Sequence, residues 1–444
     1  MARMSQISFA DLFSGCGGLS LGLSLAGLSG RFAIERDPMA FGTFSANFLD
    51  DPAGPSAFSW PEWLERKAWG IEDLLERHKP DLLALRGKID VLAGGPPCQG
   101  FSLAGRRQEE DPRNMLFEKY VEVVKALKPK LLVLENVPGM KIIHHRRNVV
   151  ELVPSPEAPR RQSFFDRLVE SLDEAGYAVE GDLVDASRFG VPQRRVRLIA
   201  IGVRKDLLRW APSGPRRAFE LLELAGPAQL AELGLPATVS SAAAISDLEV
   251  ADAKLVACED AESPRGFKEA SYRAPLTGYQ LLMHANAPSG MNSMRLARHR
   301  QDVQERFGRI ISECRQGVRM DDASRKTYGL KKHRIYPMAA GEPAPTITTL
   351  PDDILHYSEP RILTVRECAR LQSFPDWFRF TGKFTTGGDR RTRECPRYTQ
   401  VGNAVPPYLA RALGIALKDL LAEISEQRSE FLGARGGQQI AAIA

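Results

Sequence analysis

The chain has 444 residues, 43% of them hydrophobic and 26% charged, which excludes a disordered or fibrous polypeptide and fits a protein of two or three globular domains. No apolar run approaches the roughly 20 residues that cross a bilayer. The start Met-Ala-Arg-Met-Ser-Gln lacks the apolar stretch of a signal peptide, so a cytoplasmic protein is expected. The formal charge of +5 permits a nucleic-acid partner without requiring one, and six scattered cysteines with no C-x-x-C pair give no sign of a metal site.

In chain order, residues 7–13, 31–35, 89–93 and 130–135 read as buried strands: each is short, apolar and closed by Gly, Pro, Asn or a change to polar residues. Between them, 19–28, 63–77 and 115–127 carry helical spacing. A helix over 163–175 precedes two more strands at 179–185 and 197–203. This alternation predicts an α/β fold with a doubly wound, mostly parallel sheet and helices on both faces. After residue 204 the character changes. Residues 211–239 are rich in Pro, Ala and Leu, 296–314 are polar and basic with helical spacing, and basic side chains crowd around Tyr328 at 325–334. A second, smaller domain is therefore placed over 205–396, with the first domain (1–204) completed by 397–424. Residues 425–444 read as a flexible tail.

The first strand ends in Asp11-Leu12-Phe13-Ser14-Gly15-Cys16-Gly17-Gly18, where glycines let the backbone turn tightly against a ligand. Glu35, at the tip of the second strand, is placed to accept ribose hydroxyls. These features fit an adenosine-type cofactor. A dinucleotide oxidoreductase fits them nearly as well, although the cluster is not G-x-G-x-x-G.

The third strand runs into Gly94-Gly95-Pro96-Pro97-Cys98-Gln99-Gly100-Phe101-Ser102. Ligands of open parallel sheets sit beyond the carboxyl ends of the strands, so Cys98 stands at the mouth of a site. A buried structural thiol is the competing reading, and a Gly-Pro turn suits it poorly. The fourth strand ends at Glu135, which points to the same mouth and suggests acid–base chemistry beside a thiolate; a strand-end carboxylate facing solvent is the competing reading. In Gln193-Arg194-Arg195-Val196-Arg197, alternation sends Arg195 and Arg197 to one side, where they can hold a carbonyl or a phosphate. A solvated charge run is the alternative.

Taken as an ordered series, these segments resemble the DNA cytosine-5 methyltransferase family. The resemblance continues through Leu363-Thr364-Val365-Arg366-Glu367-Cys368-Ala369-Arg370-Leu371-Gln372-Ser373-Phe374-Pro375 and closes with Gln400-Val401-Gly402-Asn403-Ala404-Val405-Pro406-Pro407. It covers the first two hundred residues and the last ninety or so. It implies a Rossmann-like methyltransferase domain, S-adenosylmethionine as methyl donor (S-adenosylhomocysteine as product) and double-stranded DNA as substrate. It implies Cys98 as nucleophile, Glu135 at N3 of the target cytosine, and Arg197, with Arg195, at its O2. Cofactor contacts are implied for Phe13, Gly15, Cys16, Gly17, Gly18, Leu19, Glu35, Asp73, Pro97, Leu116, Asn403 and Val405, with Glu72 competing for the role of Asp73. DNA contacts are expected from Gln99, Ser102, Arg106, Arg113, Arg295, Arg325 and Lys331. A monomer is expected, with a cognate restriction endonuclease or other defence protein as candidate partner. A tRNA cytosine-5 methyltransferase, whose Cys-Phe-Thr signature is missing here, and a non-catalytic DNA-binding regulator are the alternatives.

Overall fold

The computed structural model describes residues 6–51, 54, 56–96, 116–141, 163–287, 291–330, 332, 334–386, 390 and 393–441, with side chains to 432. The first half comprises β1 (Ser8–Leu12), α1 (Gly18–Leu25), β2 (Ser29–Ile34), α2 (Pro38–Phe48), α3 (Ile71–Ala84), β3 (Val91–Gly94), α4 (Leu116–Leu127), β4 (Leu131–Asn136), α5 (Phe164–Glu174), β5 (Tyr177–Asp185) and β6 (Val196–Arg204). Then follow α6 (Pro215–Glu232), α7 (Ser241–Ile245), β7 (Leu255–Ala257), β8 (Lys268–Ala270), α8 (Gly278–His284), α9 (Gln301–Glu313), α10 (Asp322–Thr327), β9 (Tyr336–Pro337), β10 (Ile354–Leu355), α11 (Val365–Leu371), α12 (Arg397–Asn403) and α13 (Pro407–Ala441).

The central sheet runs β2-β1-β3-β4-β6-β5. The first four strands are parallel, and β6 inserts antiparallel between β4 and β5. The sheet is thus mostly parallel, as the sequence predicts. Successive residues feed opposite faces. Phe9, Val91, Val133 and Ile199 pack with α1, α6 and α13, whereas Ala10, Leu92, Leu132 and Leu198 pack with α3, α4 and α5. Because both faces are covered, the inner strands read as unbroken apolar runs. The chain turns from β1 outward to β2 and then back to β3 on the other side of β1, so a crevice opens at the carboxyl ends of β1 and β3. The antiparallel sense of β6 brings its beginning to the same edge.

Several expectations need correction. Helix α2 lies outside the expected elements; Asp37 caps it through Met39 N and Ala40 N at 2.8 and 3.0 Å, with Pro38 in its first turn. The third helix starts at Ile71, not residue 63. Indole N–H donors there close local turns instead, Trp60 on Leu64 O (2.6 Å) and Trp69 on Glu65 O (2.9 Å). The domain line drawn at residue 204 also shifts. Ala218, Phe219 and Leu222 of α6 share a core with Phe9 and Ile199, and Gln229 Nε2 bridges the Phe189 and Tyr408 carbonyls, both at 2.9 Å. A separate, smaller core lies around Phe307, Ile310, Met320, Ile335, Leu355 and Ile362. Residues 425–441 are not a loose tail. They continue α13, and the Phe431 ring lies 5.6 Å from that of Trp210.

Candidate active site

At the end of β1 the chain takes left-handed turns at Phe13 (φ 61°), Gly15 (φ 56°) and Gly17 (φ 97°), a run that glycine makes inexpensive. Glu35 ties this loop to the tip of β2: Gly15 N donates to its Oε2 at 3.0 Å and Asp37 N to its Oε1 at 2.7 Å. Burial raises the pKa of the Glu35 carboxyl. Trp69 N donates to the Glu35 carbonyl at 2.8 Å, which sets the first turn of α3, with Glu72 and Asp73, beside the same edge. Both carboxylates are exposed there. The Ser14 hydroxyl is buried without a partner among the described residues, and the space beside Gly15 is open. An unspent hydroxyl and open room beside a carboxylate suit a small ligand rich in hydroxyl and amino groups, as the nucleoside and amino-acid parts of S-adenosylmethionine are.

Gly18 is where the opposite wall touches. A Cβ there would collide with the Val405 carbonyl oxygen, so the segment after α12 lies directly on the glycine loop. Leu19 and Val405 are buried in one core, Leu116 is buried in the core on the other face of the sheet, and Asn403 is exposed. Cys16 departs from the expected cofactor contact in its side chain. Its thiol is buried, faces the Gln400 carbonyl at 3.7 Å, and burial pushes it up to about 12. Gly18→Ala is expected to lower cofactor affinity by about tenfold or more through displacement of Val405. Isothermal calorimetry checks this, and unchanged binding contradicts it.

Asp11 is a titrating group with no local signal in the sequence. It is buried in β1, accepts the Ser20 hydroxyl at 2.6 Å, and desolvation pushes its pKa up from 3.8 to about 7. The folded chain therefore holds this proton between about pH 4 and 7 while the unfolded chain has released it, so stability falls as pH rises through that window. Asp11→Asn keeps the acceptor for Ser20 without the charge. Its thermal unfolding should be flatter across that range and about 1–3 kcal/mol more stable than the parent at pH 8. An unchanged pH slope contradicts this.

On the other side of the crevice, Gly95 N donates to the Leu12 carbonyl at 3.3 Å, and Asn136 Nδ2 donates to the Pro96 carbonyl at 2.9 Å. A Cβ on Gly95 would lie 3.8 Å from Glu135 Oε2. Cys98 follows three residues later. It lies outside the described residues, as do Pro97, Gln99, Ser102, Arg106, Arg113 and Lys331. Glu135 Oε1 pairs with Arg197 Nε at 2.8 Å, both side chains only 12–13% exposed. Burial lowers the pKa of Arg197, and the adjacent carboxylate opposes that shift.

Arg195 parts from Arg197. Its guanidinium is 1% exposed and donates to the carbonyls of Ile347 (3.0 Å), Gly402 (2.9 Å) and Ala404 (3.0 Å). Those bonds commit the side chain to backbone, away from a role on substrate. Arg325 is likewise not available to DNA, because it is 6% exposed, donates to the Lys332 carbonyl at 2.6 Å and pairs with Asp322. Arg295 is sandwiched between the Phe267 and Phe384 rings at 4.2 and 3.9 Å and is half-buried. In each case a basic residue expected on substrate or DNA is spent on contacts within the chain. Among the described residues no group of three or more His, Cys, Asp or Glu side chains could hold a metal ion, and no helix is long and apolar enough to cross a membrane.

The model of the C-5 cytosine-specific DNA methylase family matches residues 7–419. The chain belongs to that family. It is a DNA cytosine-5 methyltransferase. It is 33% identical over 420 residues to the Type II methyltransferase M.DdeI of Desulfomicrobium norvegicum, covering 92% of this chain and 87% of that one. It is 30% identical over 453 residues to the Type II methyltransferase M.XorII of Xanthomonas oryzae pv. oryzae, covering 98% and 89%. The solved structure of a putative DNA modification methyltransferase encoded within an E. coli prophage shares the fold, with a TM-score of 0.59 at 23% identity, covering 94% of the methyltransferase described here and 100% of that chain.

Proposed function

We propose that this methyltransferase transfers a methyl group from S-adenosylmethionine to C5 of a cytosine flipped out of a specific double-stranded DNA sequence, through a covalent bond between Cys98 and C6. The observation that carries this reading is the Glu135–Arg197 pair at 2.8 Å, set against Gly95, three residues before Cys98.

Cytosine is a poor nucleophile at carbon. The Cys98 thiolate adds to C6, and the displaced electron pair makes C5 nucleophilic. Glu135 donates a hydrogen bond or proton at N3, removing charge that builds on the ring. Arg197 holds the O2 carbonyl and, through its ion pair, the orientation of Glu135. Phe13, Gly15, Gly17, Gly18 and Leu19 surround the amino-acid part of the cofactor, Glu35 takes the ribose, and Asp73 the adenine amino group. When bound, S-adenosylmethionine supplies the sulfonium methyl group that C5 attacks. Transfer of the C5 proton to water and elimination across C5–C6 then return the Cys98 thiolate. Flipping the base costs roughly a few kcal/mol of unstacking.

The part of the chain within 205–396 that carries its own small core reads the DNA sequence, through loops in the major groove. The Type II names of the relatives support a modification enzyme of a restriction-modification or related defence system, acting in the cytoplasm of a bacterium or on behalf of a phage, beside a cognate nuclease. Base-resolution methylation sequencing of cells that express the protein tests this. 5-Methylcytosine confined to one recurring DNA motif is expected, and methylation confined to tRNA contradicts it.

A further inference from the structure

We infer that Arg195 is a positioning residue that couples the wall of the cofactor site to the Glu135–Arg197 pair. This inference rests on the proposed reading of that site.

The side chain is 1% exposed, so neither substrate nor solvent reaches it. Among the described residues no carboxylate pairs with it, and its Nε is buried without a partner. The nearby charges that act on it are Arg197, which disfavours the cation, and Glu135, which favours it. A buried cation without an ion pair is costly, and a neutral side chain that only filled space would avoid that cost. What the guanidinium does that no apolar group can is donate to three carbonyls at once: Ile347, Gly402 and Ala404. Two of these belong to the segment whose next residue, Val405, lies on Gly18. Two positions further along the chain, at the start of β6, Arg197 holds Glu135.

Neighbouring bonds run the same way. Gln193 Oε1 accepts from Ile347 N at 2.8 Å and its Nε2 donates to Gln372 Oε1 at 2.8 Å, while Gln372 Nε2 donates to the Val401 carbonyl at 2.7 Å. Residues 193–197 and 401–405 are therefore one hydrogen-bonded unit, with Arg195 at its centre. One end of the unit faces the cofactor and the other the base. A ligand that presses on Val405 is felt at Arg197 through a single rigid planar group.

The test uses hydrogen–deuterium exchange on the full-length wild-type chain with and without S-adenosylmethionine. Cofactor should slow exchange in both segments, 193–197 and 401–405. Protection of 401–405 alone, with cofactor bound, overturns the coupling and leaves the proposed function standing. Failure of the wild type to bind the cofactor at all overturns both. Arg195→Lys adds a second readout, because an ammonium group cannot span three carbonyls. S-Adenosylmethionine affinity of the folded variant should fall on the order of 10–100-fold and kcat with it, while DNA binding without cofactor stays within about twofold. A variant that loses thermal stability but keeps cofactor affinity and kcat assigns Arg195 to the fold alone. If the variant does not fold, the exchange pattern of the wild type decides.

Discussion

Cys98→Ser is expected to abolish methyl transfer, by on the order of 10⁴-fold or more, while S-adenosylmethionine binds within about threefold of wild type. A cysteine is a few per cent thiolate near neutral pH and intrinsically nucleophilic, whereas a serine hydroxyl in the same place is essentially never ionised. In the proposed mechanism, without the bond to C6 there is no activated C5. In the proposed reading the cofactor sits against the glycine loop and Val405, residues that the substitution leaves unchanged. Incorporation of labelled methyl groups into duplex DNA, with calorimetry for the cofactor, separates the two effects. Near-wild-type transfer by the serine variant refutes the nucleophile assignment.

Glu135→Gln should lower kcat by about 10²–10³-fold, with a smaller effect on DNA affinity. The carboxamide has nearly the same shape but cannot deliver a proton at N3. It also leaves Arg197 without its carboxylate at a position only 12% exposed. Breaking a fully buried pair costs about 3–5 kcal/mol. Partial solvent access reduces that here to about 1–3 kcal/mol, read as a lower melting temperature. Arg197→Lys keeps the charge but not the fork, and should fall between wild type and Glu135→Gln in kcat. Steady-state kinetics with both variants checks the order. A Glu135→Gln enzyme within threefold of wild type contradicts the role at N3.

Much of the sheet domain was legible because its signals are local. Strands buried on both faces appear as short apolar runs; the glycine loop and Gly95-Pro96 follow two of them, and Glu135 stands near the end of a third. Chain order with the switch-point rule then brings those strand ends to one crevice. What escaped depended on partners far away in sequence. The antiparallel insertion of β6 between β4 and β5 has no local signature. Neither has the packing of α6 on the sheet, since an Ala- and Leu-rich stretch looks the same in either domain. The sharpest case is Arg195 and Arg197. They stand two residues apart in one basic run, yet Arg197 meets Glu135 and Arg195 meets three carbonyls from residues 347, 402 and 404. The expectation that Arg295 and Arg325 contact DNA fails for the same reason, because Phe267, Phe384 and Asp322 are far from them in sequence or silent as partners. Helix α2 is different: Asp37-Pro38 is a readable start signal, and it was passed over.

The central claim is covalent catalysis by Cys98 on cytosine in DNA. It is tested most directly with a duplex that carries 5-fluorocytosine at the methylated position, incubated with the enzyme and S-adenosylmethionine. Fluorine cannot leave as the proton does, so elimination stops and the protein should remain bonded to the DNA, with the mass of the nucleotide on the peptide that contains Cys98. No adduct with DNA, an adduct on another residue, or trapping only with tRNA contradicts the account.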